Sequence, residues 1–312
     1  MSKGGLRIPA RALMGPLLPR LRIAGPSLTS MIDQLTLTVH GRRVALLYAG
    51  RPPAPAGAAG PPVLVLLHAF PLDSRMWDPQ LSVPPPGWAV LAPDFQGFGG
   101  SALDPWAETA PSIDDYAADV LAVLDDLGAA RAVFAGLSMG GYVAFALLRR
   151  APGRVAGLVL AATRAAADDA AARAGRAATL ATLGRDGIGA IAAAMLPRLL
   201  APPTLAGRPD LAARVTFILE SADPRAVDAA VRRLRDRPDS SSLLPGIACP
   251  TLVVVGGDDV LTPPGEVEAM AARIPGARFE LIAGAGHLVN LDSPDAFNAA
   301  LAGFCAQFSA PE

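Results

Sequence analysis

Six short apolar-rich runs, most of them separated by helical periodicity, constrain this chain more than any other feature. Val63–Leu67 (VLVLL) is uninterrupted, and further runs follow at 88–92, 132–135, 155–161, 251–255 and 278–282. A continuous apolar strand has to be covered on both faces, and strands alternating with helices build a mostly parallel sheet flanked by helices. The clearest helix follows Ser112, which caps it, with Asp114 and Asp115 in the first turn, where the helix dipole favours negative charge. Ile113, Tyr116, Val120, Leu121, Leu124 and Leu127 form its apolar stripe, and Gly128 can close it in the left-handed conformation.

The sheet is preceded by alternation of the strand type. Leu35, Leu37 and Val39 alternate with Thr36, Thr38 and His40, and the Gly41-Arg42 pair offers a turn into a second strand over 44–48. The RPPAPAGAAGPP segment at 51–62 reads as a loop. Between 164 and 245 the strand signals stop, and an alanine-rich helical stretch too long for a structureless loop intervenes. It reads as a helical cap insertion over the sheet's active edge, with the core formed by 31–163 and 246–312. Residues 1–30 are arginine-rich and acid-free, with Pro9, Pro16, Pro19 and Pro26 preventing a long helix, and are expected to be a disordered tail.

Composition removes whole classes. Apolar residues make up 52% and charged residues 18%, and 27 basic against 28 acidic residues leave a net charge of -1. That is too apolar for disorder and too neutral for phosphate-backbone binding, so no nucleic-acid partner is expected. No run approaches the ~18 unbroken apolar residues of a membrane span. Cys249 and Cys305 are too few for a disulfide framework and read as buried free thiols. With no intact apolar leader region, the expected location is the cytoplasm. The histidines are three, His40, His68 and His287, so a general base or metal site has few candidates.

Gly136-Leu137-Ser138-Met139-Gly140-Gly141 lies directly after the run at 132–135 and directly before a helical run at 142–150. A G-x-S-x-G sequence at a strand-to-helix junction holds a serine on a sharp, exposed turn, with the helix N-terminus behind it favouring developing negative charge. A phosphate-binding loop is the competing reading. It would need a G-K-[ST] ending, and Lys3 is the only lysine.

Around this motif the chain resembles the cap-bearing serine esterases and enol-lactonases of the α/β-hydrolase superfamily, from about Leu35 to Phe308. His68-Ala69-Phe70-Pro71 is similar to the family's H-G-x-P loop, and the segment from Pro93 to Ser101 (PDFQGFGGS) resembles its P-D-x-x-G-x-G-x-S turn. The segment from Gly256 to Pro263 (GGDDVLTP) resembles the one bearing the family's acid, and Gly284-Ala285-Gly286-His287 the one bearing its histidine. The resemblance implies an α/β-hydrolase fold and a Ser138, Asp259, His287 triad in the family's chain order. Asp258 and Asp259 are adjacent, and the family's G-x-x-D-x-x-x-P spacing selects Asp259. The implied oxyanion donors are the backbone N–H groups of Met139 and Phe70. Ala69 replaces the family's glycine, which puts the geometry of that loop in question, because alanine tolerates a positive φ poorly. His68 is expected to order this loop, His40 to lie on the surface, and Asp94 to brace its own turn.

Phe70, Trp77, Met139 and Phe217 are candidates for an apolar acyl pocket. In the segment 225–235, Val227, Val231 and Leu234 form a stripe to be buried, with Arg232, Arg233 and Arg235 expected on a solvated face. The implied activity is hydrolysis of small to medium, mainly apolar carboxylic esters through an acyl-enzyme, with no metal or organic cofactor. Enol-lactone hydrolysis, C–C bond hydrolysis and cofactor-free haloperoxidation share the same triad. A non-catalytic ligand receptor on the same fold is the alternative of a different class.

Overall fold

The structure, a computed structural model, describes residues 32–52, 60–103 and 111–308. The tail expected at 1–30 lies outside the described residues. Eight strands form one sheet in the order β1-β2-β4-β3-β5-β6-β7-β8. They are β1 (Ile32–Val39), β2 (Arg42–Gly50), β3 (Val63–Leu67), β4 (Ala89–Pro93), β5 (Ala132–Leu137), β6 (Val155–Ala161), β7 (Thr251–Gly256) and β8 (Arg278–Ile282). β1 and β2 pair antiparallel, β2 pairs antiparallel with β4, and every other pairing is parallel. The hairpin turn falls on His40 (φ 50) and Gly41 (φ 76), one residue before the expected pair. Two successive positive φ values match the right-handed strand twist, and exposed His40 takes the first of them.

Helices cover both faces. α1 (Asp78–Leu81) follows β3, α2 (Ile113–Asp126) joins β4 to β5, and α3 (Met139–Arg150) joins β5 to β6. Between β6 and β7 run α4 (Ala170–Leu199), α5 (Pro202–Gly207), α6 (Pro209–Glu220) and α7 (Pro224–Asp236). α8 (Pro264–Ala271) precedes β8, and α9 (Val289–Asp292) and α10 (Pro294–Cys305) follow it. β3 shows how the layers form. Val63, Val65 and Leu67 join a core with α2, α3 and α8, while Leu64 and Leu66 join a second core with Trp77 and α10. Period-two alternation sends successive apolar side chains to opposite faces, so an unbroken apolar run fills both. β8 is the edge and departs from this pattern, with Arg278 and Leu281 exposed.

Ser112 caps α2 in a reciprocal box with Asp115, each side chain bonding the other's backbone N–H region, and Gly128 follows with φ 67. α7 corrects one expectation. Val227, Val231 and Leu234 are buried as the stripe requires, but Arg233 is buried with them, 1% exposed. Its Nε donates to the Ser112 carbonyl at 3.0 Å, its Nη2 reaches Gln96 Oε1 and Asp115, and its guanidinium stacks 4.5 Å over Tyr116. Spacing alone assigned Arg233 to the outer face, whereas the start of α2 supplies the polar partners that let it face inward. Cys305 is buried, while Cys249 is only partly so.

Strand β3 lies at the centre of this arrangement, with Leu64 wholly buried. Leu64→Ala is expected to lower the unfolding free energy by ~2–5 kcal/mol in urea denaturation, the range for a buried leucine truncated in a packed core. Leu281→Ala on the edge is expected to stay within about 0.5 kcal/mol of wild type.

Candidate active site

The strand order reverses at β3: β4 lies on one side of it and β5 on the other. In open α/β sheets the crevice at such a switch point, beyond the carboxyl ends of the strands, is where ligands bind. Ser138 sits there, at the end of β5 and the start of α3, with φ 55 and ψ -111. A non-glycine residue in this region is strained and has to be held by its surroundings. The glycines around it explain how. A Cβ on Gly140 would overlap the Leu67 carbonyl, one on Gly136 the Gly140 carbonyl, and one on Gly141 the Thr163 side chain. Because these three lack side chains, α3 can press its first turn against the ends of β3 and β5. Ser138 N–H donates to Ala161 O at 2.9 Å, and Gly141 N–H returns to Ser138 O at 2.9 Å.

Asp259 and His287 lie on the same edge of the sheet, after β7 and β8. His287 Nδ1 donates to Asp259 Oδ2 at 2.9 Å, with the two side chains 4% and 0% exposed. That bond fixes the ring tautomer and leaves Nε2 as the basic nitrogen. Asp259 Oδ1 accepts the N–H groups of Leu261 at 2.8 Å and Thr262 at 2.9 Å, and its Oδ2 also accepts the Thr262 hydroxyl. Burial pushes this carboxyl upward, but the bond and charge of His287 and the Thr262 bonds outweigh it and hold it below the usual range. Asp258 is exposed, as expected of a solvated neighbour. The histidine loop is braced from below. Asp292 Oδ2 accepts Gly286 N–H at 2.6 Å and Ala201 N–H at 3.0 Å, and Leu288 N–H donates to Leu199 O at 2.8 Å.

Phe70 and Met139 occupy matching positions beyond the ends of neighbouring strands. Leu67 of β3 is in register with Gly136 of β5, and each residue lies three positions further on. Ala69 does not adopt a positive φ, so the strain anticipated for alanine in this loop is absent. His68 is fully buried, with Nε2 accepting Phe95 N–H at 3.0 Å and Nδ1 donating to Ala69 O at 3.0 Å. Burial lowers its pKa to about 4, so the ring is a neutral brace between the two loops. Asp94 has the bracing geometry expected of it, accepting Ser74 N–H and Gly100 N–H, both at 2.8 Å.

Two pocket candidates have other surroundings. Trp77 is fully buried and packs against Phe297 of α10 at 5.9 Å, which gives it a core position in place of a pocket one. Phe217 is 64% exposed on α6, with the Arg75 guanidinium 5.5 Å from its ring. Thr163, Thr262 and Asp292 were missed from the sequence. Thr262 carried a local signal, since Asp three residues before Thr is the pattern of a side chain capping its own following turn. Thr163 carried none, because its contact joins segments distant in sequence, and Asp292 joins its own loop at Gly286 to the distant Ala201. Among the described residues, no group of three or more His, Cys, Asp or Glu side chains is arranged to hold a metal.

Residues 62–294 match the family model described as alpha/beta hydrolase fold, and the chain belongs to that family. It is similar to a thermophilic esterase from Thermogutta terrifontis, 35% identical with a TM-score of 0.80, covering 89% of this chain and all of that one. The enol-lactonase from Burkholderia xenovorans superposes with a TM-score of 0.78 at 27% identity, covering 87% of this chain and 100% of that one. 3-Oxoadipate enol-lactonase 2 from Acinetobacter baylyi is 26% identical over 274 residues, 87% of this chain and 97% of its own.

Asp94 makes the site's support pH-dependent. Burial, then the charge of Asp73, raises its pKa from 3.8 to about 6, against the lowering effect of its hydrogen bonds. The folded state therefore binds more protons than the unfolded one between about 4 and 6, so this stabilisation is present at low pH and lost as pH rises through 6. His68 works in the opposite sense, its neutral form being favoured by folding. In urea denaturation, Asp94→Asn is expected to cost about 2 kcal/mol more at pH 4 than at pH 7, because only wild type gains the proton-linked stabilisation.

Proposed function

We propose that the chain is a carboxylic-ester hydrolase whose nucleophile is Ser138, with His287 as general base and Asp259 as the residue that orients it. The observation carrying this reading is the His287–Asp259 hydrogen bond at the same sheet edge as a serine held in a strained turn. Ser138 Oγ would attack the ester carbonyl as His287 Nε2 takes its proton. The tetrahedral oxyanion would lie between the N–H groups of Met139 and Phe70. His287 would then protonate the leaving alcohol, and water activated by the same ring would release the acid from the acyl-enzyme.

The insertion over 164–245 is proposed as the cap that shapes the substrate site. Ile188 and Met195 of α4 pack, half-buried, against the core cluster that contains Phe70 and Met139, which supports a small to medium, mainly apolar substrate. Similarity to two enol-lactonases along nearly their whole length favours a second reading, hydrolysis of an enol-lactone. A lactone is a cyclic ester, so the same acyl-enzyme chemistry serves both.

Wild type is expected to be labelled by a fluorophosphonate probe at Ser138 and to turn over aryl esters of short to medium acyl length. Ser138→Ala and His287→Ala are each expected to lose at least ~10³-fold in rate. Turnover within tenfold of wild type in both variants would sink the mechanism. Comparing aryl esters with an enol-lactone decides between the two substrate classes.

A further inference from the structure

The residue after the end of β6 turns sharply. Ala162 adopts φ 44 while its N–H donates to Val254 O at 2.9 Å, and this places Thr163, fully buried, against the serine turn. Thr163 Oγ1 donates to the Ser138 carbonyl at 2.8 Å, beside the Gly141 N–H bond at 2.9 Å. Its side chain occupies the space that the missing Cβ of Gly141 leaves open. An alanine in a left-handed conformation is sterically disfavoured, so this approach is held by its contacts.

The Ser138 carbonyl and the Met139 N–H belong to one planar trans peptide, in which C=O and N–H point in opposite directions. Pinning the oxygen therefore aims the hydrogen, and a hydrogen bond accepted by the oxygen polarises the amide and strengthens its N–H as a donor. We propose that Thr163 is a positioning residue that orients and polarises the Met139 N–H as an oxyanion donor. The proposal rests on the ester-hydrolase reading of the same site. Thr163 acts on the reaction through one peptide unit and does not touch substrate.

The test uses the full chain with a p-nitrophenyl ester, an aryl trifluoromethyl ketone as a mimic of the tetrahedral oxyanion, and a fluorophosphonate to count active serines. Removing an oxyanion donor outright costs ~10²–10³ in kcat, so loss of its support in Thr163→Val should lower kcat by about tenfold or more, with KM within about twofold. Affinity for the ketone should weaken in parallel, and Thr163→Ser, which keeps the hydroxyl, should remain within about threefold of wild type. If Thr163→Val does not fold by circular dichroism, Thr163→Ala against Thr163→Ser carries the same comparison. Hydroxyl-free variants that keep kcat and ketone affinity within about twofold of wild type overturn the proposal, as does a Thr163→Ser variant as impaired as they are. An unlabelled, inactive wild type overturns the ester-hydrolase reading, and this proposal with it.

Discussion

The close approach of α3 to the end of β3 is the contact on which the rest of this edge depends. Gly140 sits so tightly on the Leu67 carbonyl that no side chain fits between them. This aims the N-terminus of α3 into the crevice where the strand order reverses, and it leaves Ser138 only a strained backbone conformation. Such strain costs of order 1–3 kcal/mol and persists only where the surroundings over-determine it. Here the surroundings are two buried strands and the segment leaving β6, each hydrogen-bonded to the turn or packed against it.

Two buried aspartates near this edge, Asp94 and Asp259, and a partly buried one, Asp292, differ in environment. Asp259 gathers two backbone N–H groups, a hydroxyl and an imidazole, and stays below the usual carboxylate range. Asp94 accepts two backbone N–H groups and a bond from the Ser74 side chain and faces Asp73, and burial wins and raises it to about 6. Asp292 is likewise raised by burial, despite bonds from Gly286 and Ala201. Burial raises all three, and only at Asp259 do the hydrogen bonds and the charge of the imidazole outweigh it. Only Asp259 combines a secure charge with an imidazole partner.

The serine turn and the parallel sheet were legible in the sequence from local patterns, a glycine-flanked serine and unbroken apolar runs, while the pairing of Asp259 with His287 was implied by the resemblance to the family's motifs. The polar residues that join distant segments were not. Arg233 has the helical spacing of an outward residue and is buried because Ser112, Gln96 and Tyr116, over a hundred positions earlier, supply its partners. Trp77 is a candidate for the acyl pocket by residue type, but its ring packs against Phe297 of α10. Periodicity reports which face of an element is apolar, and it carries no record of what lies opposite.

The insertion is tied near its middle and near its end to the elements that carry the proposed chemistry. Where α4 ends, Leu199 and Ala201 hydrogen-bond to Leu288 and Asp292, on either side of the turn that follows His287. After α7, Arg237 stacks 4.1 Å over Tyr142 of α3 while bonding Asp168, and Ser240 accepts from Arg149 at the far end of the same helix. The first half of α4, by contrast, is largely exposed, and the helix is broken at Gly187 with φ 77. The residues that make these ties are buried or partly so, whereas the first half of α4 is loosely packed. Substitutions at the ties would bear on the positions of Ser138 and His287, whereas the exposed first half of α4 has few contacts to lose.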